Sequence, residues 1–286
     1  MSLAQALSVA LAYGLDRLDA QRLLLHLLGR APTDRAWLLA HDNEALNPSS
    51  LDQWNTLLRR RAAGEPMAYL TGHQAFYGLD LMIDPRVLVP RPDTETLVDW
   101  ALDLLTHPTA DLDPIKKTSP SISVIDLGTG SGAIALALKH CRPNVHVSAI
   151  DASPQALALA SLNAKRLGLE IHFQTGSWLT DVSNHYFLIV SNPPYIAEND
   201  PHLRALQHEP ALALSSGVDG LNDIRTIIEQ APARLLPAGW LLLEHGFDQA
   251  PSVRAMLAQR GFTQVQSHKD LAGIERCSGG QWREVK

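Results

Sequence analysis

The stretch Val-Ile-Asp-Leu-Gly-Thr-Gly-Ser-Gly, residues 124–132, decides the fold of this chain. An apolar run leads into alternating glycines, and an apolar helical segment follows at 133–139. Glycines let the backbone turn sharply and approach a ligand closely. The stretch therefore predicts a strand, a ligand-binding turn and a helix of a parallel α/β sheet, with a tight turn that binds nothing as the alternative.

A carboxylate at the end of the next predicted strand indicates the kind of ligand. The strand at 145–150 runs into Asp151, about 20 residues beyond the glycines, where a carboxylate can accept both ribose hydroxyls of an adenosine. Gly128, Gly130 and Ala133 also satisfy a dinucleotide fingerprint. We therefore expect an adenosine-containing cofactor, whose identity this stretch alone leaves open.

Asp126, just before the glycines, helps to distinguish a dinucleotide from an adenosine cofactor that carries an amino-acid group. A carboxylate there can pair with a cationic amino-acid group and would repel a pyrophosphate. S-adenosylmethionine has an ammonium group and no phosphate, so Asp126 favours this cofactor. A second interpretation makes Asp126 a strand-end cap that hydrogen-bonds to the loop.

The second informative stretch is Ser-Asn-Pro-Pro-Tyr at 191–195, after a predicted buried strand at 187–190. It lies at the sheet edge where open α/β proteins bind ligands. An amide or aromatic amino nitrogen is a poor nucleophile because its lone pair is delocalised, so a methyltransferase acting on one needs acceptors for both N–H groups. The Asn192 Oδ1 and the Pro193 carbonyl can supply them, and Tyr195 can stack on the planar group. These three are the candidate catalytic residues.

Apolar runs alternate with helical segments after residue 121, which predicts a parallel sheet built from strand–helix–strand units. Before residue 64, Leu and Ala recur at helical spacing, and Asn47-Pro48 is typical of a helix start. Alternation at 76–89 predicts a hairpin, and the polar segment 107–121 an exposed loop. The predicted strands are 123–127, 145–150, 171–173, 187–190, 240–244 and 262–265.

Two further side chains are candidates with a structural alternative. Trp178, after the third strand, either covers the adenine or belongs to the core. His245 either lines the site or, as we favour, is a hydrogen-bonded strand-end histidine. The 12 histidines show no spacing such as His-Glu-x-x-His, so we expect no metal site.

Composition excludes several classes of protein. The 286 residues are 45% hydrophobic and 19% charged, which excludes a disordered or low-complexity chain. A net charge of −6 argues against a protein that coats nucleic acid. Two cysteines make no disulfide framework, and no apolar run approaches the length of a membrane span. We expect a cytoplasmic protein of two domains that does not bind a membrane.

With these residues in place, the chain resembles the peptide chain release factor glutamine methyltransferases, the HemK or PrmC type, over nearly its whole length. Motifs before the cofactor-binding segment make the resemblance specific, because Asn-Pro-Pro-Tyr also occurs in DNA adenine methyltransferases. The matching motifs are Gly64-Glu65-Pro66 with Tyr69, Gly72 and Phe76-Tyr77-Gly78, then Leu88-Val89-Pro90-Arg91-Pro92-Asp93-Thr94-Glu95, Glu209-Pro210-Ala211-Leu212 and Leu243-Glu244-His245-Gly246.

The resemblance implies an α/β fold, a class I S-adenosylmethionine-dependent methyltransferase domain with a Rossmann-like seven-stranded sheet at 92–286. It also implies an N-terminal helical bundle for release factor recognition at 1–73 and a β-hairpin linker at 74–91. Substrate contacts fall on Asn192, Pro193, Pro194 and Tyr195. Cofactor contacts fall on Gly128, Thr129, Gly130, Ser131, Gly132, Asp151, Trp178 and Asn192, beside the Asp126 argued above.

The activity that the resemblance implies is methylation of the side-chain amide nitrogen (N5) of the glutamine in the Gly-Gly-Gln motif of class I release factors, a step that belongs to translation termination. Two alternatives stay open. One is a glutamine methyltransferase acting on a ribosomal protein, and the other is a DNA or RNA adenine methyltransferase. The charge of −6 and the lack of a basic target-recognition domain count against a direct nucleic-acid substrate.

The chain departs from the family in two places. Ser177 stands where many relatives have an acid before the tryptophan, which puts a side-chain contact to the adenine amino group in doubt. Residues 277–282 differ from the short apolar last strand that the family predicts, so the final strand pairing is left open. That segment contains Gly279-Gly280-Gln281, which we interpret as chance, with no self-methylation expected.

Overall fold

A computed structural model describes residues 1–106 and 122–283 and divides the chain into two compact units, Met1–His73 and Gln74–Lys286. The hairpin expected as a linker is grouped with the second unit. The predicted exposed loop at 107–121 lies outside the described residues. Within the described ranges, none of the helices combines the length and the apolar character that crossing a membrane requires.

The first unit is helical, as its Leu and Ala spacing predicts. Asn47 begins the fourth helix as expected, because its Oδ1 accepts a hydrogen bond from the Ser50 N–H at 2.8 Å. Trp54 and Leu58 on that helix are fully buried in the core of the unit. Residues 1–73, all of them described, form α1 (Leu3–Ala12), α2 (Arg17–Leu27), α3 (Arg35–Ala40), α4 (Pro48–Ala62) and α5 (Met67–Thr71).

A hairpin of two short strands, β1 (His73–Phe76) and β2 (Leu79–Met82), comes next in the chain. Its two turn residues, Tyr77 and Gly78, have φ values of 48° and 75°. Positive φ at both positions is typical of a tight turn whose twist matches that of the strands. The strands end earlier than the alternation predicts, and Pro85, which has no N–H to donate, follows soon after them.

The described part of the second unit contains a seven-stranded sheet, as predicted. Its strands are β3 (Ser123–Leu127), β4 (His146–Asp151), β5 (His172–Thr175), β6 (Tyr186–Ser191), β7 (Leu235–Glu244), β8 (Thr263–Lys269) and β9 (Glu275–Gln281). They are ordered β5-β4-β3-β6-β7-β9-β8. The strands from β5 to β7 pair in parallel, and β9 pairs antiparallel with both β7 and β8.

Residues 176–185 join β5 to β6 without a helix, and the other consecutive parallel strands are connected by helices. Ile125, Leu127, Ile189 and Leu241 of the central strands are almost completely buried beneath them. All six predicted strands are present, most with ends shifted by a few residues. The longer helices of the second unit are α6 (Glu95–Thr106), α7 (Ala133–Cys141), α8 (Pro154–Leu167), α9 (Asn222–Gln230) and α10 (Ala250–Arg260).

The last strand, β9, is the one that the apolar pattern does not predict, and it lies between β7 and β8. A Cβ at Gly279 would come within 2.5 Å of the Leu241 carbonyl oxygen. A Cβ at Gly280 would come within 2.9 Å of the Phe262 Cβ. The strand is glycine-rich because its neighbours leave no room for side chains at these two positions.

Gln281 completes the Gly-Gly-Gln tripeptide inside this sheet. Its side chain is almost completely buried, and its Nε2 donates to the Ala238 carbonyl at 3.1 Å. The Gln264 Nε2 donates to its Oε1 at 2.8 Å. These contacts give the tripeptide a structural role in the pairing of the last strands.

Candidate active site

Two loops meet where the strand order of the sheet reverses, between β3 and β6. Open α/β sheets bind ligands at such a switch point, beyond the carboxyl ends of the strands. Leu127 pairs in register with Ser191, and the Ser191 Oγ donates to the Leu127 carbonyl at 2.7 Å. Two segments therefore begin side by side, the glycine loop (128–132) and the Asn-Pro-Pro-Tyr loop (192–195).

A cavity of about 370 Å³ opens at this point, a size typical of a small-molecule site. Six of the predicted site residues border it: Gly128, Gly130, Asp151, Trp178, Asn192 and Pro194. The other predicted residues, which lie behind or beside the lining formed by the described chain, are Asp126, Thr129, Ser131, Gly132, Pro193 and Tyr195.

The glycine loop follows a path that side chains would obstruct. Gly128, Gly130 and Gly132 have φ values of 69°, 57° and 86°, in the left-handed region that glycine adopts without strain. A Cβ at Gly128 would lie 3.3 Å from the Trp178 ring. The N–H groups of Gly128 and Thr129 both donate to the carbonyl of the last residue but one of β4, at 2.8 and 3.0 Å.

Asp126 lies behind the glycine loop and is fully buried. Its Oδ2 accepts hydrogen bonds from the Thr129 hydroxyl at 2.6 Å and the Ala135 N–H at 3.2 Å, so it caps the start of α7. Burial raises the pKa of Asp126 to about 7. Its Oδ1 is buried without a hydrogen-bond partner among the described residues. That free oxygen fits a cationic group of a cofactor, and the contact itself stays a prediction.

Asp151 borders the cavity at the end of β4. Its Oδ2 accepts from the Gly130 N–H and its Oδ1 from the Ser153 N–H, both at 2.8 Å. Burial raises the pKa of Asp151 in spite of these two bonds. Each carboxylate oxygen keeps a second lone pair, so a ribose diol fits this side chain.

Trp178 forms one wall of the cavity, with a backbone φ of 50° that is uncommon for a bulky residue. Its indole Nε1 donates to the Asp223 Oδ1 at 3.1 Å, which fixes the ring beside the glycine loop. Asp223, in the first turn of α9, also borders the cavity, and sequence reasoning missed it. An acid in a first helical turn is too common a feature to indicate a site.

Asn192 borders the cavity at the start of the Asn-Pro-Pro-Tyr loop. Its Nδ2 donates to the Thr94 Oγ1 at 3.2 Å, and Thr94 is almost completely buried. Pro193 is buried next to it and has no N–H of its own to compete for acceptors. The amide oxygen of Asn192 is thereby left to accept a hydrogen bond from another molecule.

Tyr195 ends the loop and is held from two sides. Its hydroxyl donates to the Glu244 Oε1 at 3.3 Å, and its carbonyl accepts from the Gln249 Nε2 at 3.0 Å. Glu244, the last residue of β7, is fully buried, and burial raises the pKa of Glu244 to about 7. Burial also raises the pKa of Tyr195, which keeps its phenol protonated as a donor.

His245 is the hydrogen-bonded strand-end histidine that we favoured. Its ring is completely buried, with Nδ1 2.9 Å from the Gly246 carbonyl oxygen and Nε2 2.7 Å from the Ser278 Oγ. Burial lowers the pKa of His245, so the neutral ring is favoured. It is not among the residues that border the cavity within the described chain.

The remaining wall comes from segments that no chemical motif marked. Residues 85–88 and Leu212 border the cavity. Glu209 connects the two segments, because its buried carboxylate accepts from the Val89 N–H at 3.0 Å and pairs with Arg91. The family motifs at 88–95 and 209–212 include Leu88, Glu209 and Leu212, but sequence alone does not reveal that the two segments meet.

The sequence matches two known families and many curated proteins. Residues 3–72 match the PrmC N-terminal domain, and residues 109–212 match the Methyltransferase small domain. The release factor glutamine methyltransferase of Bordetella pertussis is 48% identical over 93% of this chain and 95% of its own length. The protein of the same name from Xylella fastidiosa strain Temecula1 is 43% identical over 96% and 97%.

Solved structures agree on the fold. A methyltransferase from Pyrococcus furiosus aligns with a TM-score of 0.52 and 18% identity, over 82% of this chain and 100% of that one. Human methyltransferase 10 domain containing protein aligns with a TM-score of 0.54 and 18% identity, over 85% and 100%.

The full-length similarity decides the family, and the fold and the cavity agree with it. The sheet order and the methyltransferase domain confirm the predicted class I methyltransferase fold. A free buried oxygen on Asp126 and the acceptor pair of Asp151 fit S-adenosylmethionine. This chain belongs to the release factor glutamine methyltransferase family and is an S-adenosylmethionine-dependent enzyme.

Proposed function

We propose that this chain methylates the N5 side-chain amide nitrogen of the glutamine in the Gly-Gly-Gln motif of class I release factors. The observation that carries the proposal is the Asn-Pro-Pro-Tyr loop at the switch point, where the Asn192 Nδ2 is bonded to Thr94 and its amide oxygen is free to accept. Full-length relatives named for this activity support the same substrate.

The reaction requires the protein to orient a weak nucleophile, the amide nitrogen of the substrate glutamine. S-adenosylmethionine, when bound, supplies a methyl group on a positively charged sulfur. The Asn192 Oδ1 and the Pro193 carbonyl each accept one N–H of the substrate amide, which turns the nitrogen lone pair towards that methyl group. Tyr195 stacks on the amide plane. With the cofactor bound, Asn192 and Pro193 would hold the amide nitrogen in line with that methyl group. A C–N bond would form as the C–S pair returns to sulfur, and the surplus amide proton would pass to water.

Each of the remaining site residues contacts S-adenosylmethionine, the substrate or both. Asp151 holds the ribose, Asp126 the ammonium group, and Trp178 covers the adenine. Pro194 completes the substrate-contacting loop. The backbone of Gly128, Thr129, Gly130, Ser131 and Gly132 approaches the cofactor closely, and Asn192 contacts both cofactor and substrate.

The partner and the location are part of the proposal. The helical unit, predicted at 1–73, recognises the release factor. Both cysteines are free thiols, which agrees with a reducing cytoplasm, where release factors act. The net charge of −6 supports a protein substrate over DNA or RNA.

A transfer assay tests the proposal. The protein is incubated with a labelled methyl donor and a purified class I release factor, and the label is located by mass spectrometry. Parallel reactions contain ribosomal proteins, rRNA or duplex DNA. We expect label on the release factor alone; label on the ribosomal protein or nucleic acid instead, or none on the release factor, would contradict the proposal. Peptides of the enzyme that contain Gln281 should carry none.

A further inference from the structure

The Asn-Pro-Pro-Tyr loop has few backbone groups with which to hold itself in place. Pro193 and Pro194 have no N–H to donate, and the proposed function, on which this inference rests, keeps the Pro193 carbonyl for the substrate. Tyr195 must still be held where its ring can stack on the substrate amide. A residue that fixes the backbone of Tyr195 can therefore affect turnover.

Gln249, a half-buried residue just before α10, bonds to that backbone. Its Nε2 donates to the Tyr195 carbonyl at 3.0 Å and to the Asp219 carbonyl at 3.3 Å. Its Oε1 accepts from the Gly246 N–H at 2.8 Å. A primary amide offers two N–H donors and an acceptor oxygen. Both donors and the oxygen are engaged, so one side chain joins three loops.

The three partners also fix the direction of the Gln249 amide. All of them are backbone groups, so each acts only as a donor or only as an acceptor. If the amide were reversed, its oxygen would face the two carbonyls and its NH2 group would face the Gly246 N–H. The observed direction is the one that satisfies every group.

Gly220 closes the space around the Tyr195 carbonyl. Its φ is 73°, and a Cβ on it would overlap the Tyr195 carbonyl oxygen and lie 3.0 Å from the Gln249 Nε2. The next residue, Ile196, is held by the same segment, because its carbonyl accepts from the Ser216 N–H at 3.0 Å. The Tyr195 carbonyl is therefore closely packed, with Gln249 as its side-chain donor.

We propose that Gln249 is a positioning residue for the methyl transfer. Its amide fixes the Tyr195 backbone against residues 219–220, and Tyr195 then presents its ring to the substrate amide. Gln249 is not among the residues that border the cavity in the described ranges, so it acts through Tyr195. Its loss should lower turnover and leave cofactor binding, which depends on the glycine loop and Asp151, almost unchanged.

Two substitutions remove the donated hydrogen bonds in different ways. Gln249→Glu keeps the shape and the acceptor for Gly246, and Gln249→Met keeps the length without adding a charge. Both lose the donation to Tyr195 and Asp219. We expect each to lower kcat about tenfold, since small displacements of the groups around the reacting atoms are costly. The Kd for S-adenosylmethionine and the KM for the release factor should each stay within about twofold.

Gln264→Glu is the matched control for the change of amide to carboxylate. Gln264 lies on β8, the outermost strand, where its Nε2 donates to the Gln281 Oε1 at 2.8 Å. This variant should retain the wild-type kcat. An equal fall of kcat in this variant, or a loss of S-adenosylmethionine binding in both Gln249 variants, would overturn the inference, because the effect would then be one on the fold in general.

An NMR signal reports on the Tyr195 carbonyl without any substrate. Tyr195-Ile196 is the only Tyr-Ile pair in the sequence, so protein labelled with 13C-carbonyl tyrosine and 15N-isoleucine gives one cross-peak in an HNCO spectrum. The peak should shift in both Gln249 variants and stay in place in Gln264→Glu. An unmoved peak in both Gln249 variants, or a wild-type kcat in both, would overturn the inference. A shifted peak in a protein that methylates no release factor would instead disprove the proposed function alone.

Discussion

The glycine loop and the Asn-Pro-Pro-Tyr loop leave neighbouring strands of one sheet, yet the protein holds them in different ways. The glycine loop depends on the adjacent strand β4. Its Gly128 and Thr129 N–H groups donate to the Ile150 carbonyl, and its Gly130 N–H donates to Asp151, 21 positions away.

The Asn-Pro-Pro-Tyr loop depends on side chains far away in the sequence. Asn192 is bonded to Thr94 across 98 positions, and Tyr195 to Glu244 across 49 and to Gln249 across 54. The glycine loop is therefore held locally by the neighbouring strand, whereas the Asn-Pro-Pro-Tyr loop is held by residues from across the domain. Changes in the two regions should therefore separate cofactor binding from turnover.

Asn192→Ala should give the largest effect and fall on turnover. Removing an acceptor that orients the nucleophile should lower kcat by at least about a hundredfold. The Kd for S-adenosylmethionine should change far less, because the glycine loop and Asp151 are untouched. Steady-state kinetics and calorimetry measure the two quantities. A variant that turns over normally would refute the orienting role of this residue.

Glu244→Gln should also change the pH dependence of stability. A raised pKa means that the folded protein keeps a proton which the unfolded chain releases, so wild-type stability falls as the pH rises from about 4.5 to about 7. Glutamine does not titrate, so the variant does not lose stability in this way as the pH rises. The difference in the free energy of unfolding, variant minus wild type, should therefore be larger at pH 8 than at pH 5. The increase should be on the order of 2 kcal/mol, since each pKa unit corresponds to about 1.4 kcal/mol.

Urea unfolding at the two pH values measures this shift. A difference between wild type and variant that is the same at pH 5 and pH 8 would show that Glu244 does not carry the raised pKa.

Gly128→Ala should weaken cofactor binding with a smaller effect on turnover at saturation. The new Cβ would lie 3.3 Å from the Trp178 ring, at a φ of 69°, and such strain costs roughly 1–2 kcal/mol. We expect about a tenfold rise in the Kd for S-adenosylmethionine. Gly273→Ala is the control, since its φ of 81° imposes the same strain with no atom within 4 Å. Equal losses of affinity in both variants would break the comparison.

Asp223→Ala should give the smallest change. It removes the partner of the Trp178 indole N–H, a hydrogen bond worth about 1 kcal/mol, so the Kd for S-adenosylmethionine should rise about fivefold. Asp219→Ala removes an exposed aspartate of the same segment that pairs with Arg225, and it should leave the affinity unchanged. A titration in which the two variants bind equally well would remove Asp223 from the cofactor site.

The local part of the site could be predicted from the sequence, and the long-range part could not. Gly128, Asp151 and Asn192 lie in short motifs at strand ends, where the rules for α/β sheets place ligands. Thr94, Asp223 and Glu244 come near the two loops only after folding. Thr94 and Glu244 lie in motifs that match the family, but those motifs do not show which side chains they contact.

The sequence pattern does not predict the last strand, β9, and this too has a physical reason. Apolar alternation signals a strand whose side chains are buried, but β9 lies so close to its neighbours that Gly279 and Gly280 replace apolar side chains there. The cap role of Asp126 was anticipated, and its buried free Oδ1 became apparent only in three dimensions.

Tandem mass spectrometry of the release factor after reaction tests the central claim most directly. We expect the peptide containing Gly-Gly-Gln to gain the mass of one methyl group, carried on the glutamine side chain, and this gain to be at least about a hundredfold slower with Asn192→Ala. A methyl group on any other residue of that protein, or an unmodified glutamine after full incubation, would contradict it.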